Sequence, residues 1–296
     1  MVNIALLKTN PWLRLMRLDR PIGTYLLLWP TYWALWFASN GHPSFKNLII
    51  FTLGVVVMRA AGCVINDYAD RHVDGSVART KDRPLPSGEI KPRQAVVLFA
   101  CLILLALILV SLTNPMTIAL SSGALMLAAA YPLLKRVTHL PQLGLGAAWA
   151  WAVPMAFAAE QQQLPPALWF IFVAVILWTI AFDTYYAMVD REDDLMIGIK
   201  STAILFGKWD LVIIAILQLT TLILLAMAGL HFERGLLYAI GLITAGGYFI
   251  NQHRQARTRE IDSCFKAFLN NHRVGMVIFI GLALDYLLGP LVFLPN

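Results

Sequence analysis

Long apolar segments, each separated from the next by a polar connection, recur along the whole 296-residue chain. A helix that crosses a bilayer needs about 20 mainly apolar residues, and these segments have that length. We therefore predict an all-α membrane bundle of about nine transmembrane helices. The predicted spans are 22–39, 48–65, 94–112, 115–134, 141–159, 166–187, 209–230, 234–250 and 274–294.

The composition agrees with this prediction, because 59% of the residues are hydrophobic and only 14% are charged. Soluble domains have about 25% charged residues. The three cysteines, Cys63, Cys101 and Cys264, are scattered and odd in number. That pattern argues against a disulfide framework and against a zinc site.

The net charge of +6 would also suit a nucleic-acid-binding protein, but its distribution favours a membrane topology. Of the 23 Lys and Arg residues, 20 fall in connections on one predicted side of the membrane and two on the other, while Arg59 lies inside a span. Basic residues accumulate on the cytoplasmic side. We therefore expect the N-terminus and the long loops in the cytoplasm, and no nucleic-acid partner.

Two acidic clusters follow the second and the sixth predicted spans. The first contains Asn66, Asp67, Asp70 and Asp74, and the second runs from Asp183 to Asp194. Charged groups at membrane depth are costly unless they are paired or solvated, so they usually mark function. Four predicted helices separate the clusters, which places them on the same side. The alternative interpretation is that each cluster is an ordinary solvated helix end.

This spacing indicates a single domain, 1–296, built from two parallel four-helix repeats, 22–134 and 141–250, plus a ninth helix, 274–294. The two clusters would then face each other across a central cavity that opens to the cytoplasm. Parallel repeats also occur among transporters, so the repeat organisation does not distinguish an enzyme from a transporter.

The carboxylates within each cluster have helical spacing. Asp67, Asp70 and Asp74 are at i, i+3 and i+7, and Asp183, Asp190 and Asp194 are at i, i+7 and i+11, so each set is predicted to form one stripe on a helix. Like charges this close repel unless a cation lies between them. Mg²⁺ suits them, because it prefers oxygen ligands and commonly binds one or two carboxylates together with substrate phosphates.

Basic and aromatic side chains accompany the clusters. Arg79, Lys81 and Lys200 follow them and would neutralise a departing phosphate group, or else serve only as topology signals. Arg59 lies two turns before Asn66 within the second span, where it would either pair with an aspartate or hold an anionic part of a substrate.

Two further groups lie at the predicted cytoplasmic ends of spans. Lys135 adds a cation at the end of the fourth span. Tyr185 and Tyr186 adjoin the second cluster, where they would face a carbocation or anchor the helix at the interface.

The chain resembles the UbiA-type intramembrane aromatic prenyltransferases, and the resemblance covers nearly its whole length. The segments that carry the resemblance are 66–74 (NDYADRHVD), 79–88 (RTKDRPLPSG) and 183–194 (DTYYAMVDREDD) with Lys200, together with 20–23 (RPIG) and 131–136 (YPLLKR). Within that family the sequence most resembles the 4-hydroxybenzoate polyprenyltransferases of ubiquinone biosynthesis.

The resemblance implies a Mg²⁺-dependent enzyme of the bacterial inner membrane. It would transfer the prenyl group of a polyprenyl diphosphate to the carbon ortho to the hydroxyl of 4-hydroxybenzoate, releasing diphosphate. The implied metal ligands are Asn66, Asp67, Asp70, Asp74, Asp190 and Asp194. The implied diphosphate-binding residues are Asn66, Arg79, Lys81, Lys200 and Tyr186. The implied catalytic residues are Asp70, Asp190, Arg59, Lys135 and Asp183, the last three for positioning the aromatic acid.

Other readings stay open. Naphthoate, homogentisate or a porphyrin are alternative acceptors. A CDP-alcohol phosphatidyltransferase would explain Asp74 and Gly88, but Arg71, Pro92 and Val96 stand where its signature has aspartates. An ion-coupled transporter would use the carboxylates for coupling, although such sites usually lie near the membrane midplane.

Overall fold

The computed structural model describes residues 9–72 and 80–292, and within them the protein is entirely helical and contains no strand. We number the helices in chain order. They are α1 (Pro11–Leu15), α2 (Ile22–Ala38), α3 (Phe45–Asp70), α4 (Pro92–Ser111), α5 (Pro115–Val137), α6 (Pro141–Ala150), α7 (Ala152–Gln161), α8 (Leu168–Val189), α9 (Arg191–Ile197), α10 (Thr202–Phe206), α11 (Asp210–His231), α12 (Leu236–Gln255) and α13 (Ile261–Val292).

Local signals set several helix starts. Ser44 and Asn114 precede α3 and α5, and their side chains accept hydrogen bonds from the backbone N–H groups of Asn47 and Thr117, at 3.2 and 2.9 Å. These bonds satisfy donors that have no partner within the helix. Helices α4, α5 and α6 each begin with proline, which has no N–H to leave unpaired there.

The main hydrophobic core lies among α2, α7, α8, α11, α12 and α13. Trp33 and Trp178 are fully buried at its centre, with ring centroids 5.3 Å apart. By contrast, α4 and α5 turn large apolar side chains outward, as Leu104, Leu107 and Met126 illustrate. Such exposed apolar surface is what a helix in contact with lipid presents.

The all-α membrane class is confirmed, whereas the count of nine spans stays a prediction. In the described part of the chain, five helices are long and apolar enough to cross a membrane: Phe45–Asp70, Pro92–Ser111, Leu168–Val189, Thr202–His231 and Ile261–Gly289. The shorter Pro115–Ala130 segment is also apolar. The division into repeats 22–134 and 141–250 likewise stays a prediction.

Two predicted spans differ from the helices. Span 141–159 is divided at Trp151 into α6 and α7, because Pro154 has no N–H to donate to the carbonyl of Ala150. Helix α13 begins at Ile261 rather than near 274. The polar residues before 274 suggested a loop, yet Asn271 is buried inside the helix and accepts a hydrogen bond from Trp178 Nε1 at 3.0 Å.

Candidate active site

A cavity of about 780 Å³ lies between α2, α3, α4, α5, α6, α7 and α8. Polar and charged side chains line it where α3 and α8 end. Toward its other end the wall is mainly apolar and reaches Phe51, Thr113 and Thr117. The predicted site residues that line it are Arg59, Asn66, Asp67, Asp70, Asp183, Tyr186, Asp190, Asp194 and Lys200. Residues from both acidic clusters therefore share one cavity.

The first cluster lies on the last turns of α3, where Asp67 and Asp70 are buried. Only 1% of Asp67 is exposed, and two guanidinium groups neutralise it. Arg17 Nη2 donates to both carboxylate oxygens at 2.9 and 2.8 Å, and Arg83 Nη1 donates to Oδ1 at 3.1 Å. Sequence reasoning missed this pairing, because Arg17 is 50 residues away along the chain.

A second contact holds the segment before α2 against the loop before α4. Arg14 Nη1 donates to both oxygens of Glu89 at 3.0 and 2.9 Å, and Arg14 Nη2 donates to the carbonyl of Asp82 at 2.7 Å. Arg14, Arg17, Asp82 and Arg83 all line the cavity. The two segments thus form part of the wall at the charged end of the cavity.

The second cluster lies at a break between two helices. Helix α8 ends at Val189 and α9 begins at Arg191, with Asp190 between them at φ −97° and ψ 6°. The predicted single stripe of Asp183, Asp190 and Asp194 on one continuous helix is therefore wrong. All three still line the cavity, as does Asp193, because the chain turns at Asp190.

Arg59 lies inside the cavity wall on α3. Its Nη1 donates to Cys63 Sγ at 2.9 Å, and in the part of the chain that the structure describes its buried Nε has no hydrogen-bond partner. Asp183 on α8 is close enough for its charge to interact with Arg59 and Asp190. A half-buried cation whose buried Nε donor is unused provides a place for an anionic group.

The remaining predicted residues are placed differently. Lys81 is exposed and is not part of the cavity wall. Lys200 lines the cavity, and its Nζ donates to the carbonyl of Val137 at 3.2 Å. Asp74 and Arg79 lie outside the described residues. The backbone of Lys135 belongs to α5, but its side chain is likewise outside the described part.

Sequence reasoning also missed polar residues of the wall at α6 and before α10. The Gln142 side chain accepts from the backbone N–H of Thr202 at 3.1 Å and so ties these segments together. Ser201 is buried in the wall, and among the described residues its Oγ has no partner. A signal was available, since Ser201 directly follows the predicted Lys200.

The donor atoms fit a hard divalent cation. Among the described residues no three carboxylate, histidine or cysteine side chains form a ready-made metal cluster. Mg²⁺ does not need one, because it commonly keeps waters and binds one or two carboxylates together with substrate phosphates. Asp70 and Asp190 lie in the same cavity with Asn66, and together they supply oxygen donors of the required kind.

An ionic network lies directly behind the second cluster. Asp210, fully buried at the start of α11, accepts from Arg191 Nη2 and, at 2.8 Å, from Arg259 Nη2. The hydrogen bond to Asp210 raises the pKa of the Arg259 guanidinium above its ordinary value. The network connects α9, which follows Asp190, to α11 and to the connection between α12 and α13.

Comparisons with known proteins agree with the fold. The chain belongs to the UbiA prenyltransferase family, whose sequence profile matches residues 27–290. The 4-hydroxybenzoate octaprenyltransferase of Saccharophagus degradans is 57% identical over 275 residues, 93% of this chain and 92% of that protein. The enzyme of the same name from Ectopseudomonas mendocina is 57% identical over 277 residues, 94% of each chain.

Solved structures share the fold. The apo structure of a UbiA homolog from Aeropyrum pernix K1 matches with a TM-score of 0.79 and 25% identity, over 88% of this chain and 97% of that one. A UbiA homolog from Archaeoglobus fulgidus, solved with GPP and Mg²⁺ bound, matches with a TM-score of 0.73 and 20% identity, over 94% and 99%.

Proposed function

We propose that this protein transfers a polyprenyl group from polyprenyl diphosphate to the ring carbon ortho to the hydroxyl of 4-hydroxybenzoate, as a step in ubiquinone biosynthesis. The observation that carries the proposal is the single cavity that joins both acidic clusters to an apolar interior. The acceptor and the octaprenyl donor follow from the names of relatives that are 55–57% identical over nearly the full chain.

The charged end of the cavity suits a diphosphate. We assign Asn66, Asp70, Asp190 and Asp194 to Mg²⁺, which would neutralise the diphosphate and make it a better leaving group. Asp67 forms ion pairs with both Arg17 and Arg83. We therefore assign it first to holding Arg17 and Arg83 at the cavity, where both guanidinium groups would interact with the bound diphosphate.

The roles proposed from the sequence for Asp74, Arg79 and Lys135 remain part of the proposal. So do the diphosphate-binding roles of Lys81, Lys200 and Tyr186.

The acceptor would lie deeper, with its carboxylate on Arg59. The unused Nε donor and the position of Arg59 two turns below Asn66 support this assignment. Asp183, across the cavity on α8, would face the phenol side of the ring. The apolar wall from Leu26 and Val55 to Leu109 would then hold the prenyl chain without leaving polar groups unpaired.

The chain's residues would act on the reaction as follows. The allylic carbon–oxygen bond breaks, and its electron pair leaves with the diphosphate, whose charge Arg17, Arg83 and Lys200 help to hold. The ring carbon ortho to the hydroxyl supplies the electron pair of the new carbon–carbon bond. The proton lost from that ring carbon goes to a base, and we assign this role to the Asp183 carboxylate, which lines the same cavity.

We also propose the bacterial inner membrane as the location, with the charged end of the cavity facing the cytoplasm. The support is the 20-to-2 distribution of basic residues between the two predicted sides. The single-domain organisation with two repeats belongs to the same proposal.

The test uses purified protein in liposomes with 4-hydroxybenzoate, a polyprenyl diphosphate and Mg²⁺, followed by mass spectrometry of the lipid extract. We expect a prenylated hydroxybenzoate that is absent after EDTA treatment and returns when Mg²⁺ is added. If diphosphate is released with naphthoate, homogentisate or a porphyrin but not with 4-hydroxybenzoate, the reaction class would stand and the proposed acceptor would be wrong. Folded protein that releases no diphosphate would overturn the proposal in favour of a transporter or a phosphatidyltransferase.

A further inference from the structure

A second depression lies outside the active-site cavity, where α1 packs beside the first half of α4. We call it the α4 groove. Its volume is about 470 Å³, and its walls include Trp12, Lys91, Arg93, Val97, Leu98 and Cys101. None of these residues lines the active-site cavity. The groove is therefore a separate surface that the proposed reaction does not use.

The groove faces the place where a bilayer would be. Only 6% of the most apolar stretch of α4 is buried, and the Val97 side chain is 57% exposed. A helix with this length and exposure contacts lipid over most of its surface. Since α4 follows the loop that leaves α3 after Asp70, its first residues lie at the charged end of the bundle. The start of the groove is thus at the level of lipid headgroups.

Lys91 and Arg93 lie at the headgroup end of the α4 groove, and neither has an acidic partner among the described residues. Lys91 and Arg93 are exposed, and in residues 9–72 and 80–292 neither forms an ion pair. The nearest acidic residue along the chain, Glu89, is already bound by Arg14. The Gln94 side chain is also engaged, since it accepts from the backbone N–H of Lys91 at 2.9 Å.

The groove changes from charged to apolar along its length. From Lys91 to Cys101 a helix rises about 15 Å, which is about half the hydrocarbon thickness of a bilayer. Its floor is apolar, because Trp12 and Leu98 pack against the buried side chains of Leu15 and Ile90. A surface that is cationic at one end and apolar over one leaflet is complementary to an amphiphile with an anionic head.

We propose that the α4 groove binds a phospholipid with an anionic headgroup. The phosphate would lie against Lys91 and Arg93, and one acyl chain would follow Val97 and Leu98 to Cys101. Inorganic phosphate would leave the apolar wall uncovered, and a zwitterionic headgroup would bring its own cation to a site that already holds two. Basic pockets on membrane proteins bind acidic lipids in this way.

Cys101 provides a local test of occupancy. It is the exposed cysteine, whereas Cys63 and Cys264 are buried. We expect phosphatidylglycerol added to the full-length protein in detergent to slow alkylation of Cys101 by N-ethylmaleimide. Phosphatidylcholine with the same acyl chains should protect it much less. Equal protection by the two lipids, or full protection by inorganic phosphate alone, would overturn the proposal.

Paired variants separate the groove from general charge attraction. Lys91→Gln/Arg93→Gln should weaken phosphatidylglycerol binding, followed by native mass spectrometry, about 25-fold, or about fivefold for each cation. Arg254→Gln/Arg257→Gln removes the same charge from the exposed end of α12 and its connection, outside the groove. We expect this control to bind like the wild type. An equal loss in both variants would contradict a specific site.

Discussion

Gly23 of α2 lies directly against the guanidinium group of Arg59 on α3. A β-carbon at residue 23 would lie 2.6 Å from Arg59 Nη2, well inside van der Waals contact. Glycine at this position therefore makes room for the one arginine that is held inside the cavity wall on α3. The first turn of α2 thus determines where a cation of the next helix can lie.

Gly23→Ala is expected to displace Arg59 and to weaken binding of the aromatic acid. We predict that the KM for 4-hydroxybenzoate rises about tenfold, the effect of losing about 1.4 kcal/mol, while the KM for the diphosphate changes little. Arg59→Ala should have the same selectivity and a larger effect. Gly247→Ala is the matched control, because a β-carbon there meets no atom within 4 Å. Equal changes for both substrates would contradict the assignment of Arg59 to the acceptor.

Asp190→Asn should reduce kcat at least about 100-fold, because it removes a charged oxygen donor from the proposed Mg²⁺ and diphosphate site. Asp70→Ala should behave alike. Glu192→Gln is the control, since Glu192 is an exposed carboxylate two residues away that does not line the cavity. Steady-state rates across a Mg²⁺ titration, with melting temperatures as a check on folding, measure the effect. Wild-type turnover by Asp190→Asn would remove the metal-site argument.

Arg17→Gln should loosen the segment before α2 from the charged end of the cavity. Arg17 holds the buried Asp67, so its loss leaves that carboxylate with Arg83 as its arginine partner among the described residues. We expect faster amide hydrogen exchange in residues 9–21, measured by mass spectrometry. Arg20→Gln is the comparison, because that side chain is 78% exposed and its 3.5 Å ion pair with Asp19 contributes little. Unchanged exchange after Arg17→Gln would show that other contacts hold the segment.

Asp210→Asn should destabilise the fold by about 2 kcal/mol, because it leaves Arg191 and Arg259 without their buried anion. Both arginines are partly exposed and will be partly solvated, so we expect a smaller loss than for a fully buried pair. The measurement is thermal unfolding in detergent, compared with Asp262→Asn, an exposed aspartate in the first turn of α13. A melting temperature equal to the control's would mean that the network adds no stability.

The features that sequence could predict are those that depend on local pattern. The apolar segments set the helices, and the spacing between the clusters correctly indicated that Asp70 and Asp190 would line one cavity. The pairing of Asp67 with Arg17 depends on where distant segments meet, and no local pattern reports that. The break at Asp190 was missed because Asp183, Asp190 and Asp194 have the sequence spacing of a continuous helix. Residues 261–273 were not predicted as part of the last helix, because the burial of Asn271 depends on Trp178, a partner from another helix.

The cavity also separates a densely packed part of the bundle from a less densely packed part. The packed core draws on α2, α7, α8, α11, α12 and α13, whereas α4 and α5 stand on the hollow side and contribute almost nothing to it. An amphiphile that fills the cavity would add contacts to the packing that α4 already makes with its neighbours. By mass action, any amphiphile that binds only the folded protein raises its melting temperature with concentration. The heat resistance of the purified protein should therefore vary with the detergent or lipid in which it is kept, and the substrate itself should act as a stabiliser.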